Sequence, residues 1–335
     1  MTTIRVAAVQ PRLRVGEVEW NLRRCEELVR KAAAETGPDL IVLPEAVTSP
    51  NVYHPALRAA PRPVDGPAYQ LFRRLAAELG CAVGAGYHSV RGTDARHTYV
   101  LAEADGTTHL HDKDQPSVWE NCYYVGGTDD GVLDTATFGR VGCALGFECN
   151  RSRTARRFRA ANVRLVIGGE CLPSYPDWPV LKGYLRREQS YFWLWAADTT
   201  RTLARAVGAP AALAFHVGDV TMRTPLLPGV AWPTTQTGET QIVERDGRVL
   251  ERMTAADGEG FVAAGVTLAD PEPSDEIPPG LWLRPQPFSI HAVWHVMNRH
   301  GRLRYRLDKA RGGFPWQDAP AHDIPDRVPG APSER

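Results

Sequence analysis

The 335-residue sequence has no excess of charge of either sign, because 39 lysines and arginines balance 39 aspartates and glutamates. General electrostatic binding to nucleic acid or to a membrane surface needs a basic surplus, so we expect neither partner. The sequence also has no apolar run long enough to cross a bilayer. Its start, MTTIRVAAVQ, lacks the basic, apolar and small-residue regions of a signal peptide, and we therefore expect a cytoplasmic protein.

Closely spaced metal ligands are missing as well. The six cysteines lie at positions 25, 81, 122, 143, 149 and 171, with no Cys-x-x-Cys pair and no Cys/His cluster. Cytoplasmic thiols stay reduced, and a structural zinc site needs ligands at short, regular spacing. We therefore expect free thiols and no structural zinc site.

Apolar periodicity predicts strands that alternate with helices. Residues 4–9 have the pattern of a buried strand, and apolar residues recur every three or four positions over 17–35, as on one helix face. A second strand, DLIVLP, ends just before Glu45, and this strand–helix–strand order predicts a layered α/β domain. Later in the chain, the pattern predicts a helix over 178–190 that runs into a strand over 191–198.

Two stretches have less regular patterns. Residues 199–237 give few periodic signals, and we interpret them as an insertion near a site or an interface. Residues 271–335 are proline-rich at both ends, with one predicted helix over 287–299. We predict a domain over 1–270 and a C-terminal extension that packs on this domain or on a neighbouring subunit, with its last ten or so residues disordered.

Four side chains have the chemistry of a catalytic site. Glu45 ends a strand, where charged groups of α/β sheets often reach the ligand crevice. Glu120 lies among aromatic residues, which favour a raised carboxyl pKa, whereas Lys113 lies in a loop, where a surface charge is the usual alternative. Cys149 ends an apolar run, and a thiol there suits nucleophilic work if a base and a cation lie near it. The alternative is a buried inert thiol, the role that we assign to Cys143.

Together with their flanks, these residues resemble the nitrilase superfamily of carbon–nitrogen hydrolases over roughly residues 4–266. The stretch RVAAVQPRLRVGEVEWNLRRCEELVRKAAAETGPDLIVLPE resembles the family's opening, and FGRVGCALGFEC resembles the strand that delivers the catalytic cysteine. WPVLKGYLRREQSYFWLWAAD is similar to a later helix and strand, and GETQIVERDGRVLER to the closing hairpin. The resemblance implies an α/β fold, a four-layer α-β-β-α sandwich of the nitrilase type, in a carbon–nitrogen hydrolase domain over 1–270.

The resemblance also implies a role for each catalytic residue. Glu45 is expected to be the general base, and Cys149 the nucleophile that forms a covalent thioester. Lys113 and the backbone N–H of Asn150 are expected to stabilise the oxyanion. Glu120 is expected to position the lysine and the substrate amine. No cofactor and no metal are implied.

The arginines after the nucleophile suggest a substrate feature. CNRSR lacks the Trp-Glu of true nitrilases and is closer to the D-amino-acid carbamoylases, and residues 151–164 hold six arginines and no acid. A guanidinium can bind a carboxylate bidentately, and Arg151 and Arg153 lie nearest the nucleophile. The alternative is a set of structural ion pairs at a subunit interface.

Further candidates concern the pocket itself. Tyr53, Trp119, Tyr123 and Tyr124 are candidate pocket walls, and ordinary core aromatics are the alternative. Glu170 is a candidate partner for a cationic substrate amine, or for one of the arginines.

We therefore predict hydrolysis of a small amide or N-carbamoyl compound, including one that carries a carboxylate. Nitrile hydrolysis or amide-forming acyl transfer at the same site is an alternative, and a non-catalytic scaffold that kept the fold is an alternative of another class. Subunits of the family pack through helices near the cysteine, so we expect a homodimer or a larger homo-oligomer that uses the helices over 153–162 and 178–190.

Overall fold

The computed structural model describes residues 2–176, 178–179, 181–225 and 227–318. The strands are β1 (Thr2–Gln10), β2 (Leu40–Val42), β3 (Arg62–Pro63), β4 (Ala82–Arg91), β5 (Asp94–Ala102), β6 (Thr108–Asp112), β7 (Val132–Thr135), β8 (Gly139–Leu145), β9 (Leu165–Glu170), β10 (Ala211–Phe215), β11 (Val217–Thr224), β12 (Leu227–Thr237), β13 (Gln241–Val243), β14 (Val249–Arg252) and β15 (Gly260–Leu268). The helices are α1 (Val18–Thr36), α2 (Pro67–Leu79), α3 (Ser152–Ala160), α4 (Lys182–Val207) and α5 (Phe288–Ala310).

These strands form two large sheets and one hairpin. The first sheet has the order β15-β1-β2-β4-β5-β6, with β3 beside β4, and the second has the order β14-β13-β10-β9-β8-β7. Strands β1, β2 and β4 are parallel, as are β8, β9 and β10. The carboxyl ends of the parallel strands therefore meet at one edge of each sheet, where ligand crevices form in α/β proteins.

Alternate side chains of the strands pack into different layers. In β1, Ala7 and Val9 pack with α1 and α2, whereas Val6 and Ala8 pack between the two sheets. This follows because successive side chains of a strand point to opposite faces. The outer face of the second sheet packs against α3 and α4. The predicted four-layer α-β-β-α sandwich is confirmed.

The region around α4 differs from its prediction. Residues 191–198 are helical, so the predicted strand is wrong; aromatic residues are typical of strands, but here Phe192, Trp195 and Thr199 are buried at steps of three and four. The predicted irregular insertion over 199–237 is also wrong, because it contains the end of α4, strand β10 and the hairpin of β11 and β12.

The described part of the C-terminal extension packs on the body of the same chain. Helix α5 begins one residue after the start of the helix predicted over 287–299 and continues through the basic run after it. Asn298 Oδ1 accepts a hydrogen bond from the backbone N–H of Val118 at 2.6 Å, and Trp294 packs edge-on against Phe147. The division at residue 270 stays a prediction, and the predicted terminal disorder lies outside the described residues.

Three further findings concern the described residues as a whole. No helix among them combines the length and the apolarity needed to span a membrane. In the same ranges, no group of three or more His, Cys, Asp or Glu side chains could hold a metal ion. All six cysteines are buried free thiols.

Candidate active site

The four predicted catalytic residues follow strands of both sheets. Glu45 lies shortly after β2 and Lys113 directly after β6, in the first sheet. Glu120 lies in a short 3₁₀-helix after Lys113. Cys149 lies in the 3₁₀-helix Gly146–Asn150, directly after β8 of the second sheet. Because the two sheets pack face to face, the structure brings the ends of these strands together.

The ammonium group of Lys113 lies between two carboxylates. Its Nζ donates to Glu45 Oε2 at 2.9 Å and to the two oxygens of Glu120 at 3.0 and 2.8 Å. Burial alone would lower the pKa of Lys113, but the charges of Glu120 and Glu45 raise it above its usual value. Lys113 is therefore a fixed positive charge at neutral pH, which suits it to stabilise an oxyanion.

Glu45 is buried and contacted from several sides. Its Oε1 accepts from the backbone N–H of Cys171 at 3.1 Å, and its Oε2 lies 3.3 Å from His97 Nδ1. Its backbone oxygen lies 2.6 Å from His216 Nε2. Burial raises the pKa of Glu45 to about 7, against the lowering effect of Lys113. A carboxyl group with this pKa can both accept and return a proton near neutral pH.

Cys149 is fully buried, and its thiol donates to the backbone oxygen of Ala144 at 3.5 Å. Burial raises the pKa of Cys149 well above its usual value, the charge of Glu170 adds to this effect, and Lys113 opposes it. The resting thiol is therefore neutral and needs a base to remove its proton. Cys143 lies in the core between the two sheets, as expected for an inert thiol.

Gly146 begins the turn that carries Cys149. Its φ of +53° is in the left-handed region, which glycine adopts without steric cost. A Cβ atom at this position would lie 2.6 Å from Lys113 Nζ and 2.8 Å from Glu45 Oε1. Glycine therefore lets the turn of the cysteine pack directly on the Glu45–Lys113 pair.

Glu148 connects this turn to the Lys113 loop. Its Oε1 accepts from the backbone N–H of Asp114 at 2.8 Å. Its Oε2 accepts from the backbone N–H of Leu145 and lies near His111 Nε2, both at 3.0 Å. Since Asp114 directly follows Lys113, one carboxylate holds the lysine loop against the turn of the cysteine.

Both side chains at the centre of this network are ionised at neutral pH. Burial would lower the pKa of His111, but Glu148 and Asp129 raise it to about 10. Burial would raise the pKa of Glu148, but His111 and Arg151 hold it below its usual range. The network is therefore a buried set of opposite charges rather than of neutral hydrogen bonds.

A cavity of about 140 Å³ lies beside Glu45 and Glu120. Its aromatic walls are Trp119, Phe147, Tyr175, Phe192 and Trp232. Its aliphatic walls are Val118, Leu172, Pro173, Ile290 and Val293. Its other described lining residues are Asn51, Ser117, Gly146, Cys171, Ser174 and Ser289. The carboxylates of the site therefore face a mainly apolar space.

A family model described as carbon-nitrogen hydrolase matches residues 5–272 of the chain. The chain belongs to the carbon–nitrogen hydrolase family. The match covers both sheets and all four candidate catalytic residues, and it ends before α5. The family therefore makes this protein an enzyme that acts on carbon–nitrogen bonds, and leaves the substrate open.

Solved structures similar to this carbon–nitrogen hydrolase share its fold. A carbon–nitrogen hydrolase from Helicobacter pylori is 16% identical with a TM-score of 0.63, over 93% of this chain and 98% of the other. An amidase of the nitrilase superfamily from Nesterenkonia is 18% identical with a TM-score of 0.60, over 78% and 90%.

A further variant of the Nesterenkonia amidase shows covalent addition of the acetamide moiety of fluoroacetamide at its active-site cysteine. This structure is 18% identical with a TM-score of 0.58, over 78% of this chain and 90% of the other. Such identities show a common fold and no more. The comparison with curated proteins gave no match.

The predicted substrate-binding arginines of this carbon–nitrogen hydrolase are not among the described residues that line the cavity. Arg151 is buried, and its guanidinium contacts Asp114 and lies 3.6 Å from Glu148. Arg153 is exposed on α3. The structural alternative, an ion pair, therefore describes Arg151, although it lies within the chain rather than at an interface.

Of the four aromatic residues predicted to form the pocket walls, one lines the cavity and three lie in the core. Trp119 lines the cavity, and its Nε1 donates to the backbone oxygen of Asn51 at 3.2 Å. Tyr123 and Tyr124 lie in the core of the first sheet and its helices, with Tyr53 packed against them. For these three tyrosines the structure shows the alternative of ordinary core residues.

Glu170 pairs with an amide rather than with an arginine. Its Oε1 accepts from Asn150 Nδ2 at 2.9 Å, and Asn150 Oδ1 accepts from Thr199 Oγ1 at 2.9 Å. Burial raises the pKa of Glu170 well above its usual value, which disfavours the charged form that would pair with a cationic amine. The pair instead holds Asn150, whose backbone N–H is the predicted second oxyanion donor.

The sequence reasoning missed the residues that surround Glu45. His97 lies in β5, Cys171 and His216 directly follow β9 and β10, and no local pattern connects these three residues with the glutamate. One signal was available for Cys171, which directly follows β9, beside the strand that leads to Cys149. Glu45 was selected because the carboxyl ends of strands form the ligand crevice, and the same rule selects Cys171.

Proposed function

We propose that this enzyme hydrolyses a small amide or N-carbamoyl compound through a thioester on Cys149. The observation that carries the proposal is Lys113 Nζ, which hydrogen-bonds to Glu45 and Glu120 beside the cavity. This arrangement provides a proton acceptor with a pKa near 7 and a fixed cation next to one another. Acyl transfer to a thiol needs both.

In the proposed acylation, Glu45 removes the thiol proton while Cys149 Sγ attacks the amide carbon. Because the pKa of the thiol lies above that of Glu45, proton transfer accompanies formation of the C–S bond. Lys113 and the backbone N–H of Asn150 stabilise the oxyanion that forms. Protonated Glu45 then gives its proton to the leaving nitrogen as the C–N bond breaks, and ammonia departs.

In the proposed deacylation, water attacks the thioester and Glu45 accepts one of its protons. The C–S bond breaks, the thiol regains a proton, and the carboxylic acid leaves. Glu120 takes no proton in this scheme; it holds Lys113 through two hydrogen bonds. The covalent acetamide on the cysteine of the Nesterenkonia amidase, which has the same fold, supports a covalent intermediate here.

The test compares Cys149→Ser with Cys81→Ser, a buried thiol at the amino end of β4, away from the strand ends of the site. Ammonia release is measured with amides, N-carbamoyl compounds and nitriles. We expect release by the wild type and Cys81→Ser, and none by Cys149→Ser. Persistent release by Cys149→Ser would contradict the proposal.

Mass spectrometry of trapped protein distinguishes the reactions that the sequence left open. An acyl adduct on the wild type, absent from Cys149→Ser, identifies the thioester and the acyl group. Turnover of nitriles but not of amides would favour the nitrilase alternative. A product amide formed with an added amine would favour acyl transfer.

We also propose a homo-oligomer, as expected from the sequence. Exposed apolar residues on α4, Tyr191, Trp193 and Leu194, support it, because contiguous exposed apolar side chains often mark protein interfaces. Light scattering measures the mass directly. The cytoplasmic location expected from the sequence is likewise a proposal.

A further inference from the structure

We propose that α5 closes the cavity into a pocket for an uncharged apolar acyl group, and that Ile290 and Val293 select this group by its size. The inference rests on the proposed amide hydrolysis and names its substrate class. It concerns a part of the chain beyond residues 5–272, the range that the family model matches.

The charges around the cavity disfavour an anionic substrate. The charged residues among its described lining are Glu45 and Glu120, and no lysine or arginine belongs to that lining. Arg151, the arginine nearest the nucleophile in sequence, is buried against Asp114 and Glu148. A substrate carboxylate would lose its hydration to apolar walls and would face two acidic side chains, and the nearby cation, Lys113, is already hydrogen-bonded to both of them.

The size and the walls of the cavity favour a compact apolar group. Its volume is about 140 Å³, and an apolar cavity of about 150 Å³ in another protein holds benzene. Trp119, Phe192 and Trp232 form rigid faces of the cavity. We therefore expect an acyl group with a branched alkyl chain or one small ring.

Helix α5 is held in place at this wall. The backbone N–H and Oγ of Ser289 donate to Glu188 Oε2 at 2.9 and 2.7 Å, and Asn298 accepts from the backbone N–H of Val118. Ile290 and Val293 lie three positions apart on the helix, so both face the cavity. A wall fixed at both ends can discriminate acyl groups by size.

The first measurement compares two amides of the same shape. Isovaleramide and malonamate have equally branched three-atom ends, but one end is apolar and the other is a carboxylate. We expect kcat/KM for isovaleramide to exceed that for malonamate about 100-fold, because the apolar pocket offers the anion no partner. Equal or better turnover of malonamate would overturn the inference.

The second measurement changes the wall. Ile290→Trp should lower the isovaleramide/acetamide ratio of kcat/KM about tenfold by filling the pocket, and Ile290→Ala should shift the preference toward 3-phenylpropionamide by a similar factor. Val296→Trp is the matched control, because Val296 is exposed on the same helix and does not belong to the described lining. We expect it to leave the ratios unchanged.

The outcomes separate this inference from the proposed function. Unchanged ratios in both Ile290 variants would overturn the inference, and Ile290→Ala decides alone if the tryptophan variant does not fold. A preference for malonamate over isovaleramide would overturn the inference, but it would leave the proposed Cys149-dependent hydrolysis intact. Absence of Cys149-dependent ammonia release from every amide would overturn the proposed function itself, and the inference with it.

Discussion

Replacing Glu148 by glutamine should strongly destabilise the protein, because this buried carboxylate accepts hydrogen bonds on both oxygens. Asp114 N–H donates to one oxygen, and Leu145 N–H donates to the other, near His111. A glutamine side chain has one oxygen and one NH₂ group. In either orientation of the amide, a buried donor faces another donor and loses its partner.

The magnitude follows from the burial of this network. Glu148 and His111 are both fully buried, and removing one partner of a buried ion pair costs about 3–5 kcal/mol. The matched control is Glu35→Gln at the end of α1, where the side chain is 55% exposed and lies 3.9 Å from Lys31. Loss of such a surface pair should cost less than about 0.5 kcal/mol.

The free energy of unfolding of each variant is measured by urea titration at neutral pH under reducing conditions, with ammonia release as a second readout. We expect Glu148→Gln to lose several kcal/mol and most of its activity, because the carboxylate also holds the lysine loop against the turn of the cysteine. A loss within about 1 kcal/mol of the Glu35→Gln value would refute the reasoning, since it would mean that the network contributes no more than a surface pair.

Two further predictions concern the Glu45–Lys113 pair. Because the pKa of Glu45 is about 7 and only its carboxylate form accepts a proton, kcat/KM should rise as the pH rises through about 7. A rise of kcat/KM near pH 4.5, the pKa of an unperturbed glutamate, would contradict this prediction. Gly146→Ala places a methyl group 2.6 Å from Lys113 Nζ and should remove most activity. The matched control is Gly37→Ala, because Gly37 also has a positive φ, of +54°, but has open space around it. This variant should lose about 1 kcal/mol of stability and keep its kcat. Equal activities of the two variants would contradict the prediction that the methyl group at position 146 disturbs Lys113.

The sequence predicted the strands of the sandwich well because their signals are local. Buried strands such as β1 and turn residues between strands leave patterns that neighbouring positions share. There were two exceptions: β10 and the hairpin of β11 and β12 were not predicted within 199–237, and part of helix α4 was predicted as a strand because the run YFWLWAAD has the aromatic content of a strand. Only its contacts with the second sheet show that one helical face is buried while Trp193 and Leu194 on the other are exposed.

The sequence by itself determined the candidate catalytic set, because the order of Glu45, Lys113, Glu120 and Cys149 and the flanking segments are properties of the chain alone. The tertiary structure decided which groups touch: Lys113 and Glu45 lie 68 positions apart and yet share a hydrogen bond. It also decided the pKa of Glu45, because burial and distant charges determine that value.

The tertiary structure likewise decided the surroundings of the substrate. The segment CNRSR predicted that arginines bind the substrate. In the structure, Arg151 instead forms an ion pair with Asp114, a residue that follows another strand. The cavity wall comes in part from α5, far along the chain from Cys149. Ion pairs and cavity walls form between segments that are distant in the sequence. No local pattern of residues therefore predicts them.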